Sequence, residues 1–193
     1  MSKKDLTTLI NKVPKKVMII IDAAYAEYMT DNDYSNGLEF AQKNMNVIVT
    51  RTFSKIYGLA SLRLGWCYAH SNIISSMNKV RGPFNVNHLA QVAGIQALKD
   101  RKYTNNSKKH NMLWLKTMNK ELSKLPIKVY DSRANFLLID VGSSVFKLNK
   151  YLLSKSIIIR LMEKYNLPTC IRVSIGTANE NKKVLKAFKD FYK

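Results

Sequence analysis

Apolar side chains in the first part of the chain follow a helical spacing and then a strand spacing. Residues 6–13 carry leucine, isoleucine and valine at helical spacing, and Pro14 ends this pattern. Residues 17–21 then form a continuous apolar run that ends at Asp22. Such a run predicts a strand covered on both faces, as in a parallel sheet. Residues 47–50 form a second β-rich run, so this part of the chain is predicted to be α/β.

The rest of the pattern predicts helices alternating with shorter strands. A long helix is closed by Pro126, and Thr177 with Glu180 forms the capping-box pattern that begins a last helix. The long helix is predicted at residues 115–125, and further helices are predicted at residues 72–80, 88–98 and 144–154. Further strands are predicted at residues 65–69, 127–130, 135–140, 157–159 and 171–175. The polar segment 99–110, "KDRKYTNNSKKH", predicts a boundary between an α/β domain, residues 1–105, and a smaller α+β domain, residues 106–193.

The charge of the chain is strongly positive. There are 32 Lys and Arg residues against 13 Asp and Glu residues, which gives a formal net charge of +19. This charge makes nucleic acid or an anionic membrane surface a candidate partner. However, only seven of the basic residues are arginine, and the lysines are scattered as pairs. A solvated lysine-rich surface therefore explains the charge without a specific partner.

The two cysteines and the chain start point to an ordinary cytoplasmic protein. Cys67 and Cys170 lie far apart and follow no metal-ligand spacing, so we expect reduced thiols and no metal site. The first residues are polar and lack a signal-peptide pattern, and the apolar run at residues 17–21 is too short to span a membrane.

The first candidate chemistry lies at the end of the predicted strand. Asp22 is placed where open α/β sheets bind ligands, at the carboxyl end of a strand. A helix cap or a solvated loop acid is the alternative. Tyr25 could direct its hydroxyl into the same crevice, although a packed aromatic is the simpler interpretation of a single tyrosine.

A second group of side chains follows the next predicted strand. Lys55 is flanked by Thr52, Ser54 and Arg63, all of which can bind a phosphate. A lysine amine near cationic neighbours loses its proton more readily and becomes a better nucleophile toward an aldehyde. A lysine, an anion site and the strand-end carboxylate of Asp22 are together what pyridoxal phosphate requires, because the carboxylate keeps the ring nitrogen protonated.

Two arginines in the second half are candidates for binding an anionic substrate. Arg172 lies on a predicted strand, where an unpaired buried charge would be costly, and Arg160 closes the segment "SIIIR". A structural salt bridge is the alternative for both. The three histidines are dispersed and receive no role.

These residues are the ones by which the chain resembles the fold type I aminotransferases that depend on pyridoxal phosphate, and among them the histidinol-phosphate aminotransferase family. Five segments carry the resemblance in the family's order: "IIIDAAYAEY", "RTFSKIYGLASLRLGW", "SRANFLLID", "SIIIR" and "LPTCIRVSIGT". The resemblance implies the C-terminal part of the large cofactor-binding domain in residues 1–105 and the small C-terminal domain in residues 106–193.

The resemblance also implies roles at the cofactor. Lys55 would bind pyridoxal phosphate covalently and then move the proton at the substrate α-carbon. Asp22 would pair with the pyridine nitrogen, and Tyr25 would hydrogen-bond the phenolic oxygen. Three side chains would bind the cofactor phosphate: Ser54, Arg63 and, in an assisting role, Thr52.

The substrate implied by the resemblance is histidinol phosphate. Arg172 would bind the carboxylate of the amino-acid substrate, and Arg160 with Arg172 would bind the phosphate of histidinol phosphate. The family couples this reaction to 2-oxoglutarate, forms imidazole acetol phosphate and glutamate in histidine biosynthesis, and works as a homodimer. An aromatic-amino-acid aminotransferase and a phosphothreonine decarboxylase-like enzyme are the alternatives within the fold.

One departure from the family concerns the start of the chain. The sequence begins just before the strand that ends at Asp22, so the preceding part of the family pattern is missing. That part contributes further cofactor contacts and much of the dimer contact in the family. We therefore expect a truncated, split or degraded form. An inactive fragment that binds nucleic acid through its basic surface is the alternative from another class.

Overall fold

The computed structural model describes residues 1–193, which form two units, Met1–Asn106 and Ser107–Lys193. The division falls inside the helix α5, Arg101–Leu122. Elements that lie wholly in the first unit are α1 (Lys3–Lys12), β1 (Ile19–Asp22), α2 (Leu38–Ala41), β2 (Val47–Thr52), β3 (Gly65–Tyr68), α3 (Ser71–Val80) and α4 (His88–Lys99). Elements that lie wholly in the second unit are β4 (Lys128–Val129), β5 (Phe136–Asp140), α6 (Val145–Ser154), β6 (Arg160–Leu161), β7 (Cys170–Ser174) and α7 (Ala178–Phe191).

The sheet of the first unit has the strand order β1-β2-β3. β1 and β2 are parallel and place Asp22 beside Thr50, whereas β2 and β3 are antiparallel and place Thr50 beside Cys67. The parallel pairing of β1 fits the interpretation of residues 17–21 as part of a parallel sheet, but β3 makes the sheet mixed. The consequence of the parallel pairing is that the loops after β1 and after β2 leave the sheet at the same edge.

Only one face of β1 is covered. Its inward face joins an apolar cluster with α1, α2 and β2, made of Leu6, Ile10, Ile19, Ala23, Ala41, Val47 and Val49. Ile20 points the other way and is 65% exposed, and Asp22 is exposed as well. The prediction of a strand covered on both faces is therefore wrong for this chain. The apolar run is real, but no helix of residues 1–193 lies over its second face.

Helix α4 is also packed on one side only, and the side that it buries carries small residues. Gly94 lies so close to the segment between β2 and β3 that a Cβ atom there would come within 2.5 Å of the Leu64 side chain and 3.6 Å of Phe53. Small residues thus form the buried side of the helix. Its large apolar side chains are exposed instead: Leu89, Val92, Ile95 and Leu98.

The second unit has its own sheet and its own core. The strand order is β4-β5-β7-β6, and all pairs are antiparallel. Its fully buried side chains come from strands and helices alike: Met118, Leu122, Ile139, Leu148, Leu152, Ile171 and Phe188. The predicted capping box is confirmed, because Thr177 accepts a hydrogen bond from the Glu180 amide and the Glu180 carboxylate accepts one from the Thr177 amide.

Two predicted elements differ from the structure. Residues 157–159 were expected to form a strand, but pairing with β7 begins only at Arg160, which lies opposite Arg172. The polar segment 99–110 is mostly helical, since α5 begins at Arg101. Asp100 stabilises this start because its carboxylate accepts a hydrogen bond from the Tyr103 amide at 2.9 Å.

Both cysteines are free thiols, and Cys170 is buried. None of the helices is long and apolar enough to cross a membrane.

Neighbouring leucines on α6 provide a test of the second core. Leu152 is fully buried and Leu153 is 50% exposed. We expect Leu152→Ala to lower the free energy of unfolding by about 2–5 kcal/mol, because it removes packed atoms and leaves a cavity. Leu153→Ala should change it by less than about 1 kcal/mol. Urea unfolding of both variants measures the difference, and equal losses would contradict the described packing.

Candidate active site

The candidate site is built from the loops that follow β1 and β2. Asp22 is the last residue of β1, and β2 continues to Thr52 before the chain reaches Lys55. Because the two strands are parallel neighbours in register, both loops begin at the same sheet edge. The sheet therefore brings the strand-end carboxylate and the lysine loop to one side of the first unit.

Lys55 and Tyr25 are in contact across these two loops. The Lys55 Nζ atom lies 5.1 Å from the centre of the Tyr25 ring, a distance typical of a cation–π contact. The Lys55 side chain forms no ion pair in the structure, and the residue is partly buried. Its amine therefore has an aromatic neighbour but no carboxylate partner.

The turn that presents Lys55 depends on Gly58. The Gly58 amide donates a hydrogen bond to the Lys55 carbonyl at 2.9 Å, and Gly58 has a left-handed φ of 71°. A Cβ atom at this position would lie 2.8 Å from the Tyr103 hydroxyl. The backbone conformation favours glycine here, and any larger residue would also have to displace the Tyr103 hydroxyl.

Three of the predicted phosphate ligands lie together. The Arg63 guanidinium donates hydrogen bonds to the Ser54 hydroxyl at 3.3 Å and to the Ala60 carbonyl at 2.7 Å. The Ser54 amide donates to the Thr52 hydroxyl at 3.0 Å. Arg63 has a left-handed backbone, with φ 52°, which is uncommon for a residue other than glycine. A guanidinium and two hydroxyls therefore lie together in the segment that contains Lys55. Groups of this kind can donate hydrogen bonds to an anion.

Asp22 is exposed and keeps one carboxylate oxygen available. Its Oδ1 atom accepts a hydrogen bond from the Ala24 amide at 3.1 Å. This is the loop contact expected from the alternative interpretation of Asp22 as a capping residue. The same contact orients the carboxylate, and Asp22 forms no ion pair that would compete for a ligand.

An ion pair between Glu27 and Arg51 was not found by sequence reasoning. The Glu27 Oε1 and Arg51 Nη2 atoms are 2.5 Å apart, and the two side chains are only 16% and 12% exposed. The Arg51 guanidinium also lies 5.5 Å from the centre of the Trp66 ring. No local motif links these residues, because 24 positions separate them in the sequence. The only signal in the sequence is an acid five residues after β1 and an arginine one residue before the end of β2.

Tyrosines surround this ion pair. Burial, with smaller contributions from Tyr103, Tyr25 and Glu27, raises the pKa of Tyr28 to about 12. Burial also raises the pKa of Tyr57, and the Glu27 charge raises it further while Arg51 opposes the shift. The hydroxyls of both tyrosines therefore remain neutral at physiological pH.

In the second unit, Arg160 and Arg172 lie directly opposite each other on β6 and β7. Like charges in this arrangement repel each other. Arg160 donates a hydrogen bond to the Tyr165 hydroxyl at 3.0 Å, and the Arg172 guanidinium lies 5.0 Å from the centre of the Phe136 ring. Neither arginine forms an ion pair, so the structure shows no salt bridge for either of them. The Arg172 Nε atom is buried without a hydrogen-bond partner.

Both arginines line a cavity of about 520 Å³ within the second unit. The cavity is further lined by Ser174, Asn181, Lys183 and Glu180. The Glu180 carboxylate accepts hydrogen bonds from the Thr177 amide and hydroxyl and forms no ion pair with the arginines. Three cationic side chains against this one carboxylate make the cavity suited to an anion.

Comparison with known proteins shows to which family the chain belongs. The family model "Aminotransferase class I and II" matches residues 1–188. The chain is 43% identical to the histidinol-phosphate aminotransferase of Pelagibacter ubique (strain HTCC1062), over all of this chain and 54% of that protein.

Solved structures agree with this match. The crystal structure of the histidinol-phosphate aminotransferase from Clostridium acetobutylicum covers the whole chain with a TM-score of 0.91 and 26% identity, over 59% of that protein. The enzyme of the same name from Sinorhizobium meliloti, solved in complex with pyridoxal-5'-phosphate, shares the fold with a TM-score of 0.88, 24% identity and coverage of 99% of this chain and 54% of that protein.

The chain spans about half the length of the curated relatives it matches. Within that length, the match runs through both units of the structure. The chain belongs to the class I and II aminotransferases.

Proposed function

We propose that this chain provides the lysine-bearing part of a pyridoxal-phosphate-dependent aminotransferase whose substrate is histidinol phosphate. With 2-oxoglutarate as the amino acceptor, the products would be imidazole acetol phosphate and glutamate, as in histidine biosynthesis. The observation that carries the proposal is the position of Lys55. Its amine lies against the Tyr25 ring, and in the sequence it stands between Ser54 and Arg63, whose side chains are hydrogen-bonded to each other.

The side chains present fit pyridoxal phosphate. Arg63 and Ser54 are adjacent donors for the phosphate, and Thr52 orients the backbone of Ser54. Lys55 has no acidic partner to displace, and Asp22 has a carboxylate oxygen that the Ala24 amide does not use. When bound, this cofactor supplies an electron sink for the negative charge that develops at the substrate α-carbon.

Each residue then has a task that its position permits. Lys55 binds the cofactor covalently and moves the proton at the substrate α-carbon. Asp22 holds a proton on the ring nitrogen, which needs a carboxylate fixed in orientation by its loop. Tyr25 donates a hydrogen bond to the phenolic oxygen, and Ser54, Arg63 and Thr52 bind the phosphate.

The paired arginines of the second unit bind the substrate anion in this proposal. Arg172 meets a carboxylate, and Arg160 with Arg172 meets the phosphate of histidinol phosphate. The support is their position opposite each other beside one cavity, where a dianion between them would turn repulsion into attraction. A substrate without a phosphate would neutralise the pair less well.

The proposal extends to the domains, the assembly and the cell compartment. Residues 1–105 would be part of the large cofactor-binding domain, residues 106–193 would be the small domain, and the complete enzyme would be a homodimer. We place the protein in the cytoplasm, because a buried free thiol such as Cys170 fits a reducing compartment.

The alternative functions are not better supported. The likeness to the L-threonine-O-3-phosphate decarboxylase from Porphyromonas gingivalis is at 20% identity and concerns the fold alone. An aromatic-amino-acid aminotransferase would leave the Arg160–Arg172 pair without a phosphate. A nucleic-acid-binding fragment would use the charge of +19 but would give no role to Lys55, Tyr25 or the buried arginine Nε atom.

The first test concerns Lys55. We expect the chain incubated with pyridoxal phosphate to gain visible absorbance, and borohydride reduction to fix a mass label on the peptide that contains Lys55. Lys55→Ala should abolish both signals, because the amine that bonds to the aldehyde is removed. Lys128→Ala is a matched control, since the Lys128 amine also lies over a tyrosine ring, at 4.7 Å from the centre of Tyr130. A label that stays on other lysines and ignores Lys55 would refute the assignment.

The second test concerns the substrate anion. Arg172→Gln should weaken the binding of histidinol phosphate by about tenfold or more, because charge-assisted hydrogen bonds to a phosphate are lost. Arg133→Gln is the control, since Arg133 is an exposed arginine of the same unit that pairs with Asp131. Calorimetric titration measures both affinities. Equal affinities in the two variants, or a preference for phenylalanine over histidinol phosphate, would contradict the proposed substrate.

A further inference from the structure

The Glu27–Arg51 ion pair joins the two loops of the candidate site. Glu27 lies in the short 3₁₀ helix Ala26–Tyr28, which begins immediately after Tyr25. Arg51 lies on β2, four residues before Lys55. The contact between Glu27 and Arg51 therefore ties the loop that carries Tyr25 to the strand that leads to Lys55.

Stability alone does not account for this pair. Both side chains are largely buried, and the Glu27 Oε2 and Arg51 Nε atoms have no hydrogen-bond partner. A buried ion pair with unsatisfied atoms commonly contributes no more to stability than apolar side chains of the same size, because desolvation cancels the attraction. A geometric role explains its presence better.

The surroundings hold the pair in one geometry. Arg51 packs over the ring of Trp66, its neighbour on β3. The Glu27 charge acts on one tyrosine in each loop, Tyr28 and Tyr57. Burial is the main cause of the raised pKa of both tyrosines, and the Glu27 charge raises it further. The Glu27 carboxylate thus lies close to both loops and contacts Arg51 on β2.

We propose that Glu27 and Arg51 are positioning residues that set the placement of Tyr25 against the Lys55 amine. The inference rests on the proposed function, in which Lys55 reacts with an aldehyde. In that step Lys55, after losing a proton to solvent, adds through Nζ to the aldehyde carbon, and one water molecule leaves as the carbon–nitrogen double bond forms. The ion pair does not touch the reacting atoms, and its effect is exerted through the two loops.

The test separates binding from reaction in the 193-residue chain. Pyridoxal phosphate is mixed with the protein at increasing concentrations, and the rate of covalent capture at Lys55 is followed by absorbance and by borohydride labelling. The dependence of the rate on concentration gives the dissociation constant of the initial complex and the maximal capture rate. The phosphate ligands govern the first quantity, and the placement of Lys55 governs the second.

We expect Glu27→Gln and Arg51→Gln each to lower the maximal capture rate by about tenfold or more, because a displacement of about 1 Å is enough for such a loss. The dissociation constant should stay within about twofold of the wild type. The double variant should be no slower than the slower single variant, because both substitutions break the same contact. Glu27→Asp, which keeps the charge, should recover part of the rate.

The control is Glu121→Gln, which removes the ion pairs with Lys124 and Lys189 in the second unit and should leave both quantities unchanged. Thermal unfolding of every variant reports whether it folds. A wild-type capture rate in Glu27→Gln, or equal changes in rate and dissociation constant, would overturn the positioning role. Absence of Lys55 labelling in the wild type would instead overturn the proposed function, and the inference with it.

Discussion

The parallel pairing of β1 and β2 is the constraint on which the candidate site depends. It places Ile19 beside Val47 and Asp22 beside Thr50, so the two chain segments that leave the strands start from one edge. No direct contact between Asp22 and Lys55 is needed to associate them. Shifting β1 by one residue against β2 would turn Asp22 to the opposite face of the sheet and away from the lysine loop.

This chain has far fewer acidic than basic side chains, so most of its cations have no acidic partner. Thirteen Asp and Glu residues face 32 Lys and Arg residues, and of the two acids near the candidate site Glu27 has a cationic partner whereas Asp22 has none. Glu27 pairs with Arg51, whereas Lys55, Arg160 and Arg172 form no ion pair. The two arginines for which an anionic ligand is proposed are thus among the many cations of this chain that have no acidic partner. Elsewhere, Glu121 bridges Lys124 and Lys189, and the pKa of its carboxyl is lowered to about 2 by these hydrogen bonds.

The sequence predicted what depends on neighbours in the chain. The capping box at Thr177 and the strands β2, β5 and β7 follow from short patterns, and the structure contains all of them. It also joins Ser54 to Thr52 and Arg63 by hydrogen bonds, while their role as phosphate ligands stays a prediction. The segment at residues 157–159 differs because a strand can pair only where β7 offers a partner, which begins at Arg172. Whether a face of β1 is covered depends on which helices the chain supplies. The apolar run at Ile20 cannot reveal that.

Long-range pairs were beyond sequence reasoning for a physical reason. The Glu27–Arg51 contact and the opposition of Arg160 to Arg172 are created by strand register and loop direction, which one sequence does not specify. Tyr25 illustrates the intermediate case. Its proximity to Asp22 is local and was anticipated, but its ring reaches Lys55 only because the neighbouring strands are parallel.

The exposure of the large apolar side chains of α4 affects the thermodynamics of unfolding of this chain. Leucine, valine and isoleucine side chains on this helix, together with Phe84 at 91% exposure, are already hydrated in the folded state. Unfolding therefore brings less new apolar surface into water than is usual for 193 residues. Since the heat-capacity increment and the denaturant slope both scale with newly hydrated surface, we expect the chain to have a flatter stability curve and a shallower denaturant transition than an ordinary protein of its length.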